Sequence, residues 1–546
     1  MQSRRHSIAP SIRQFVVIAA LALLVALAPL RVALGLAGLV GVGALAWAGP
    51  VYGVYLAILS VPVQQLVTLP GGTSFTQAAV LLMTGAWLLR SALQPGRPLV
   101  SGPLFWAWLA LLAALLLSTA AAPYSQAESL RAMARWAVAF LVWFVAVNSV
   151  ATRRELHGLI CCLLAAPFAC GLIGLYQFAS GDGPPSFRIA ATLPFVRAYG
   201  TIGQPNSFAG YMNMAWPLAV ALAGAALVQR RAARSADRSV AVLDTAMGDA
   251  PGDAPGTAMG DTLGDGPGTV MGDTPGEATA AGKRSNFDLA ARSGESARAI
   301  NWGSCFAPTV GVLVALVLVG ALAVSFSLGG WVGALVGAVG LLAALGWRWA
   351  VVALGGAGAL LATLLLGGAT LLPNAIGGRV TRLTGMLRFF DPATVVVTPE
   401  NFSLVERMAQ MKAGALMFGQ NWLFGVGPGA YSLAYSDVTS PPWYASRGHA
   451  HNFYLHMAAE AGLIGLIAYL TLVVTTCVLA VAGLRRAGGS GARSILIGCC
   501  GVIAAVAGHN FFENLHVLNL GVQLSGIWAL IVLVPRLLLP AAGKQR

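Results

Sequence analysis

The amino-acid sequence predicts an all-α polytopic integral membrane protein with about 12–14 transmembrane helices and one large outer loop that carries short helices. Three observations lead there. Of the 546 residues, 57% are hydrophobic and only 10% charged, where an ordinary soluble domain carries about 25% charged residues. Apolar runs recur at the length needed to cross roughly 30 Å of hydrocarbon. The formal charge of +14 is gathered largely in short clusters flanking those runs, which is how the positive-inside rule writes orientation. Nucleic acid is therefore not an expected partner; membrane lipid is.

The first run, residues 14–30, follows Arg4, Arg5 and Arg13. It has the outline of a signal peptide, but no convincing cleavage site leads into a soluble domain. It reads as a first span with its basic end in the cytoplasm. Runs at 32–48, 50–68, 75–93, 103–120, 133–150, 156–178 and 207–228 complete an N-terminal membrane block, 1–228. Counting from the first span, Arg90 and Arg97, Arg153 and Arg154, and Arg230 and Arg231 all fall on the cytoplasmic side. A central block, 307–368, holds runs at 308–328, 329–347 and 349–368, with Arg348 again cytoplasmic. The C-terminal block, 452–546, holds runs at 452–483, 493–508 and 519–535, with Arg485, Arg486, Arg536 and Lys544 on the same side. An even number of spans places both termini in the cytoplasm.

Two long polar segments separate these blocks. The cytoplasmic one, 229–306, contains a degenerate twelve-residue repeat, "TAMGDAPGDAPG", "TAMGDTLGDGPG", "TVMGDTPGEATA". Gly, Pro, Asp and Thr dominate that repeat and aromatic residues are missing from it, so it cannot bury enough apolar area to offset its ordering entropy. It also lacks the bidentate glutamate and full ligand set of a calcium loop. A disordered insert is expected. The outer segment, 369–451, is not of low complexity. In "NFSLVERMAQMKAGALMFGQ", Leu404, Met408, Met411, Ala415 and Met417 recur at helical spacing and predict an amphipathic helix along the membrane surface. The glycines of "NWLFGVGPGAYSLAY" let the chain turn sharply and bring backbone N–H groups close to a ligand.

Chemistry is expected where this outer segment enters the next span, at "RGHAHNFYLHMAAEAGLIGLIAYL", residues 447–470. Ionisable groups are costly at that depth, yet His449, His451, Asn452, His456 and Glu460 stand together there. A histidine with an ordinary pKa near 6.5 can accept a proton from an attacking hydroxyl at neutral pH, or it can position the acceptor. His451 is the first candidate and His449 the second, while His456 fits better as a satisfied structural group. Glu460, four residues beyond His456 and nine beyond His451, can orient either only through loop geometry.

Eleven of the 33 Lys and Arg fall outside on this topology: Arg31, Arg131, Arg135, Arg188, Arg197, Arg379, Arg382, Arg388, Arg407, Lys412 and Arg447. Ten are arginine, whose planar fork grips phosphate bidentately where lysine is a point charge. Some of them snorkel toward lipid headgroups; the rest are expected to line a pocket for a phosphate-bearing lipid. The seven cysteines (Cys161, Cys162, Cys170, Cys305, Cys477, Cys499 and Cys500) lie in or beside apolar runs without ligand spacing, and read as small hydrophobes rather than disulfides or a zinc site.

These stretches resemble the O-antigen ligase superfamily of bacterial inner-membrane glycosyltransferases, which includes lipopolysaccharide O-antigen ligases, protein O-oligosaccharyltransferases and some polysaccharide polymerases. "HNFYLHMAAEAG" is similar to the family's histidine, ten residues, glycine motif, here His451 to Gly462. "WLFGVGPGAY", containing Gly427 and Gly429, resembles its Gly-x-Gly-Pro-Gly turn, with Glu406 and Arg407 upstream where the family commonly has a functional arginine. "GTIGQPNSFAGYM", residues 200–212, resembles the segment opening an earlier span. The resemblance implies a GT-C-like fold and a metal-independent, inverting transfer without cofactor at the periplasmic face. The donor would be a glycan on undecaprenyl pyrophosphate and the acceptor a hydroxyl, with lipid A-core first and protein next. It implies His451, with His449 beside it, as base or acceptor-orienting group and Arg407 as a pyrophosphate ligand, with Asn452, Glu460, Gly427 and Gly429 supporting the site.

One departure stands out. Family members often carry Ser-Arg-Gly-Gly at the outer end of a central span, whereas this chain reads "SFSLGGWVGAL", with Leu328 in the arginine position. A lost charge-assisted contact to phosphate costs about 1.5–3 kcal/mol. Either Arg197, Arg379 or Arg382 substitutes in space, or the donor differs, or activity is reduced. From other classes, a secondary transporter with a histidine proton relay would show inverted repeats and midplane charges, and neither is evident; an inactive scaffold is the reading that Leu328 keeps open.

Overall fold

The computed structural model describes residues 30–66, 73–96, 98–189, 193–248, 308–366, 377–378, 390–399, 401–439, 441–488 and 491–540. Its helices in chain order are α1 Leu30–Ala48, α2 Pro50–Ser60, α3 Phe75–Leu93, α4 Pro103–Ala120, α5 Gln126–Ser149, α6 Arg153–Ser180, α7 Pro205–Asn213, α8 Trp216–Gly248, α9 Pro308–Val324, α10 Leu328–Leu345, α11 Trp347–Leu365, α12 Phe402–Gln420, α13 Tyr431–Val438, α14 Phe453–Ala487, α15 Gly491–His509 and α16 Leu520–Leu538. Among the described residues no strand forms; Arg188 and Val196 make an isolated antiparallel bridge.

The chain is an all-α polytopic membrane protein. Eight helical stretches among the described residues are long and apolar enough to cross a membrane: α4, α5, α6, the joined α7–α8 (Pro205–Ser235), α10, α14, α15 and α16. Shorter apolar helices at Gly35–Ala48, Pro50–Val63, Pro308–Val324 and Trp347–Thr363 occupy four more of the expected spans. The expected span at 14–30 lies outside the described residues, apart from its last residue.

Boundaries follow local chemistry. Ser74 and Thr152 close capping boxes with Gln77 and Glu155 at the starts of α3 and α6, and Ser125 and Ser327 accept from backbone N–H groups to start α5 and α10. Pro occupies the first turn of α2, α4 and α7, where its missing N–H costs nothing.

Two units are distinguished, Ala223–Gly311 and the remainder, Met1–Leu222 with Val312–Arg546. The first nearly coincides with the expected insert, but its beginning differs: α8 continues as helix to Gly248, some twenty residues past the end of the apolar run. "RRAARSADRSVAVLDTAMG" is rich in Ala and Arg, good helix formers, and the helix takes in the first four residues of the repeat, Thr245 to Gly248. Residues 249–307 lie outside the described part.

In the larger unit, α10 packs closely on α15. A side chain added at Gly337 would stand 2.7 Å from the Ala505 Cβ, and one at Gly340 2.4 Å from the Ala504 Cβ. Small residues therefore let the two backbones approach, as membrane helix pairs require. Helix α16 is keyed to its neighbours by polar bonds inside the apolar core, Ser525 Oγ donating to Ala139 O at 2.8 Å and Gln523 Nε2 to Leu163 O at 2.8 Å. At one end of the bundle Arg493 donates to Ala344 O, Leu345 O and Leu484 O. There too Arg486 donates to Pro540 O and Arg536 to Val147 O. The starts of α10, α14 and α16 and the end of α15 stand at the opposite end, and the site is built there.

The predicted helix in the outer segment is present as α12, but its buried face differs. Val405, Met408, Ala409, Gln410, Ala413, Gly414 and Met417 are buried, Ala415 is exposed, and Leu404 and Met411 are half-buried. The reason is a partner the sequence did not reveal. Ala413 and Met417 pack with Val426, Tyr431, Ala434, Tyr435, Ala450 and Ala459 in one apolar cluster. The buried Gln410 amide donates to Tyr435 Oη and Ala445 O, and its carbonyl accepts from Arg447 N.

Candidate active site

The histidine loop is fixed on both sides. Ala450 is fully buried in the cluster under α12, and Phe453 N donates to Asn510 O at 2.8 Å. Asn452 caps α14, its Oδ1 accepting from Leu455 N at 3.0 Å. Between these anchors His451 takes φ +52°, a sparsely populated conformation for a residue with a Cβ that persists only where its surroundings enforce it. The turn brings the His449 and His451 rings to 4.2 Å between centroids.

Both rings face Glu513, which sits between α15 and α16. The His451 backbone N–H donates to His449 Nδ1 at 3.1 Å, so His449 carries its proton on Nε2 and donates it to Glu513 Oε1 at 3.0 Å. His451 Nδ1 lies 3.6 Å from the same oxygen. The other carboxylate oxygen accepts from Asn206 Nδ2 at 2.6 Å and lies 3.9 Å from Arg407 Nη2. Burial opposes ionisation of Glu513, but the two imidazoles that face it, His449 donating its Nε2–H, hold its carboxyl well below the usual range. For His451, burial first and the Arg407 guanidinium second lower the pKa to about 4. At neutral pH the pair is thus a carboxylate facing an uncharged imidazole. With Nδ1 turned to the carboxylate, Nε2 is left with a lone pair to receive a proton.

Beside this cluster lies a cavity of about 240 Å³ whose lining includes Arg188, Arg197, Arg407, Ser327, Leu328 and Glu513. Three elements contribute its guanidinium groups. Arg407 comes from the first turns of α12 and donates to Phe512 O at 3.1 Å. Arg197 comes from the segment before α7, donating to Ser325 O at 3.0 Å and to Asn206 Oδ1 at 2.9 Å. Arg188 lies across the β-bridge from Val196. A cavity with convergent arginines is suited to an anion with several oxygens, such as a diphosphate. Leu328 lines this cavity, so the position that the resemblance would make an arginine faces the same space as Arg197 and Arg407.

The glycine turn departs from expectation. Its N–H groups are spent on the protein itself: Gly429 N and Tyr431 N donate to the Glu460 carboxylate at 2.7 and 3.1 Å, and Gly427 N to Glu460 O at 2.9 Å. A side chain at Gly427 would strike Ala122 and Ser129, and one at Gly429 would strike Ala132, so both are glycine for close packing on α5 and the connection that precedes it. Glu460 faces His456, Oε2 to Nε2 3.5 Å, and braces the loop rather than His451. Gly462, which ends the histidine motif, breaks α14 at φ +65°. A Cβ there would lie 2.2 Å from Leu423 O.

The structure therefore brings together His449, His451, Arg197 and Arg407, with Asn452 fixing the loop. It assigns Glu460, Gly427 and Gly429 to the wall behind. Arg379 and Arg382 lie outside the described residues. Arg447 pairs with Glu406 at 2.6 Å and Lys412 with Asp391 at 2.9 Å, so those outer cations serve the fold of the loop. Glu513 and His509 were not singled out from the sequence, and Asn206 only as part of the Pro-Asn segment in "GTIGQPNSFAGYM". A signal was there: "HNFFENLH", residues 509–516, echoes "HNFYLH" at 451–456, again as a polar cluster at the mouth of an apolar run. His449, His451 and Glu513 offer ligand atoms within 4.8 Å of one another, close enough to share a metal ion. The proton on His449 Nε2 and the guanidinium beside Glu513 favour the hydrogen-bonded arrangement instead.

Residues 313–470 match the family model described as O-antigen ligase. The match runs from α9 into α14 and supports the O-antigen ligase superfamily. It takes in Leu328, Arg407 and the histidine pair, and leaves Arg188, Arg197, Asn206 and Glu513 outside. A comparison with curated proteins gives no match.

Proposed function

From a membrane protein whose residues 313–470 match an O-antigen ligase domain, we propose an enzyme that moves a glycan from undecaprenyl pyrophosphate to an acceptor hydroxyl, most simply on lipopolysaccharide core, at the periplasmic face of the bacterial inner membrane. The observation that carries this reading is a buried His451–Glu513 pair beside a cavity lined by Arg188, Arg197 and Arg407. The diphosphate of the donor lies against the arginines. The acceptor hydroxyl attacks the anomeric carbon from the side opposite the diphosphate, its proton passing to His451 Nε2. The new C–O bond forms as the sugar–phosphate C–O bond breaks, and the electron pair of that bond leaves with undecaprenyl pyrophosphate. Glu513 holds the imidazole in the accepting tautomer and stabilises the imidazolium. The guanidinium groups neutralise charge on the leaving diphosphate.

The topology supports the periplasmic side. Arg485, Arg486, Arg493 and Arg536 gather at the helix ends away from the cavity, and the positive-inside rule makes that end cytoplasmic. No metal enters the scheme, so a chelator leaves the rate unchanged. The test is transfer in proteoliposomes supplied with lipid-diphosphate-linked glycan and core acceptor. Glu513→Gln, which keeps the shape and loses the charge, lowers turnover about ten- to a hundredfold. Full turnover by this variant would remove the carboxylate from the mechanism.

A further inference from the structure

His509, at the end of α15, is fully buried and lines the same cavity as Arg197 and Arg407. Its tautomer can be read from its neighbours. The Asn213 amide is oriented by two bonds: Trp216 Nε1–H donates to its Oδ1 at 2.9 Å, and its Nδ2 donates to Gly330 O at 3.0 Å. The same Nδ2 lies 3.4 Å from His509 Nδ1. An amide nitrogen only donates, so Nδ1 is the acceptor and the ring proton of the neutral imidazole sits on Nε2. That Nε2 is buried and meets no hydrogen-bond partner among the described residues. An orphaned donor in a buried site carries a desolvation cost that a native fold rarely leaves uncompensated. Space is kept open beside it. A side chain at Gly329, another lining residue, would put its Cβ 3.2 Å from Nε2 and 2.9 Å from the ring carbon Cδ2.

We propose that His509 is a binding residue for the donor, its Nε2–H donating to a diphosphate oxygen that the arginines hold, with Asn213 fixing the tautomer and Gly329 leaving the approach clear. This rests on the lipid-diphosphate reading above. The neutral donor complements the guanidinium groups: it marks one oxygen by direction where they supply charge.

Binding of undecaprenyl pyrophosphate, and separately of inorganic pyrophosphate, is titrated against the full-length protein in nanodiscs. His509→Asn, whose amide overlays Nδ1 and leaves nothing at Nε2, weakens both affinities about tenfold or more, as loss of a hydrogen bond to a charged group does. His509→Gln, which returns an N–H to the Nε2 position, recovers affinity to within about threefold of wild type. Gly329→Ala keeps the imidazole but sets a Cβ 2.9 Å from its ring and from the Phe512 Cβ, crowding the approach to Nε2, and also weakens binding, so the result does not depend on one variant folding. Equal affinity of wild type and the Asn variant, or full affinity of the Ala variant, would overturn the role of His509 while leaving the donor reading intact. A wild-type protein that binds neither diphosphate removes the donor reading and this role together.

Discussion

At the scale of single residues, the position of His451 decides the chemistry. It is held at φ +52° between a buried alanine and a capped helix start, 3.6 Å from a buried carboxylate. Burial and Arg407 lower its pKa to about 4, which gives a sign to the pH dependence. The accepting form is neutral imidazole, present at neutral pH and lost as pH falls through that value. Turnover therefore holds from pH 7 down to about 5 and drops about tenfold per unit below about 4, whereas an ordinary histidine would begin to fail near 6.5. A pH–rate profile breaking near 6.5 would contradict this. Arg407 makes the second prediction. It bonds Phe512 O and stands beside Glu513 with its fork toward the cavity, so Arg407→Lys keeps the charge and loses about ten- to a hundredfold in kcat/KM. Leu328 makes the third. Because it already faces the arginine-lined cavity, Leu328→Arg raises affinity for undecaprenyl pyrophosphate, and an unchanged dissociation constant would mean the position lies off the diphosphate.

At the scale of elements, α10 and α15 form the frame. Their contact is made by Gly333, Gly337 and Gly340 on one side and Gly501, Ala504 and Ala505 on the other, and it delivers Gly329 and His509 to the cavity. Gly337→Leu forces the backbones apart and costs about 1–3 kcal/mol, read as a lowered thermal midpoint in detergent. Much at this scale was legible in the sequence. Apolar runs of membrane length gave the helix pattern. The buried face of α12 was not legible. Leu404, Met411 and Ala415 fit helical spacing as well as Val405, Ala409 and Ala413 do, and only contact with Tyr431 and Ala450 from later in the chain selects between them. The glycine turn misled for a related reason. Its shape suggested a ligand cradle, but the ligand is the chain's own Glu460.

At the scale of the whole molecule, the site is assembled from segments far apart in sequence: Arg188 to Asn206, Leu328, Arg407, the histidine pair, and His509 to Glu513. His451 could be picked out because its motif is local. Glu513 could not, since nothing near it in the chain tells which loop it faces; only the return of α15 to the start of α14 brings it there. The repeat segment contributes none of these groups, so deleting residues 250–280 leaves transfer intact, and a dead deletion variant would show that the insert takes part.

The central claim is that His451 takes the acceptor's proton. The direct measurement is single-turnover transfer from undecaprenyl-pyrophosphate-linked glycan in proteoliposomes, comparing wild type with His451→Ala at matched protein and matched donor occupancy. The account predicts a rate lower by about 10²- to 10⁴-fold with donor binding retained. Transfer at an undiminished rate would contradict it.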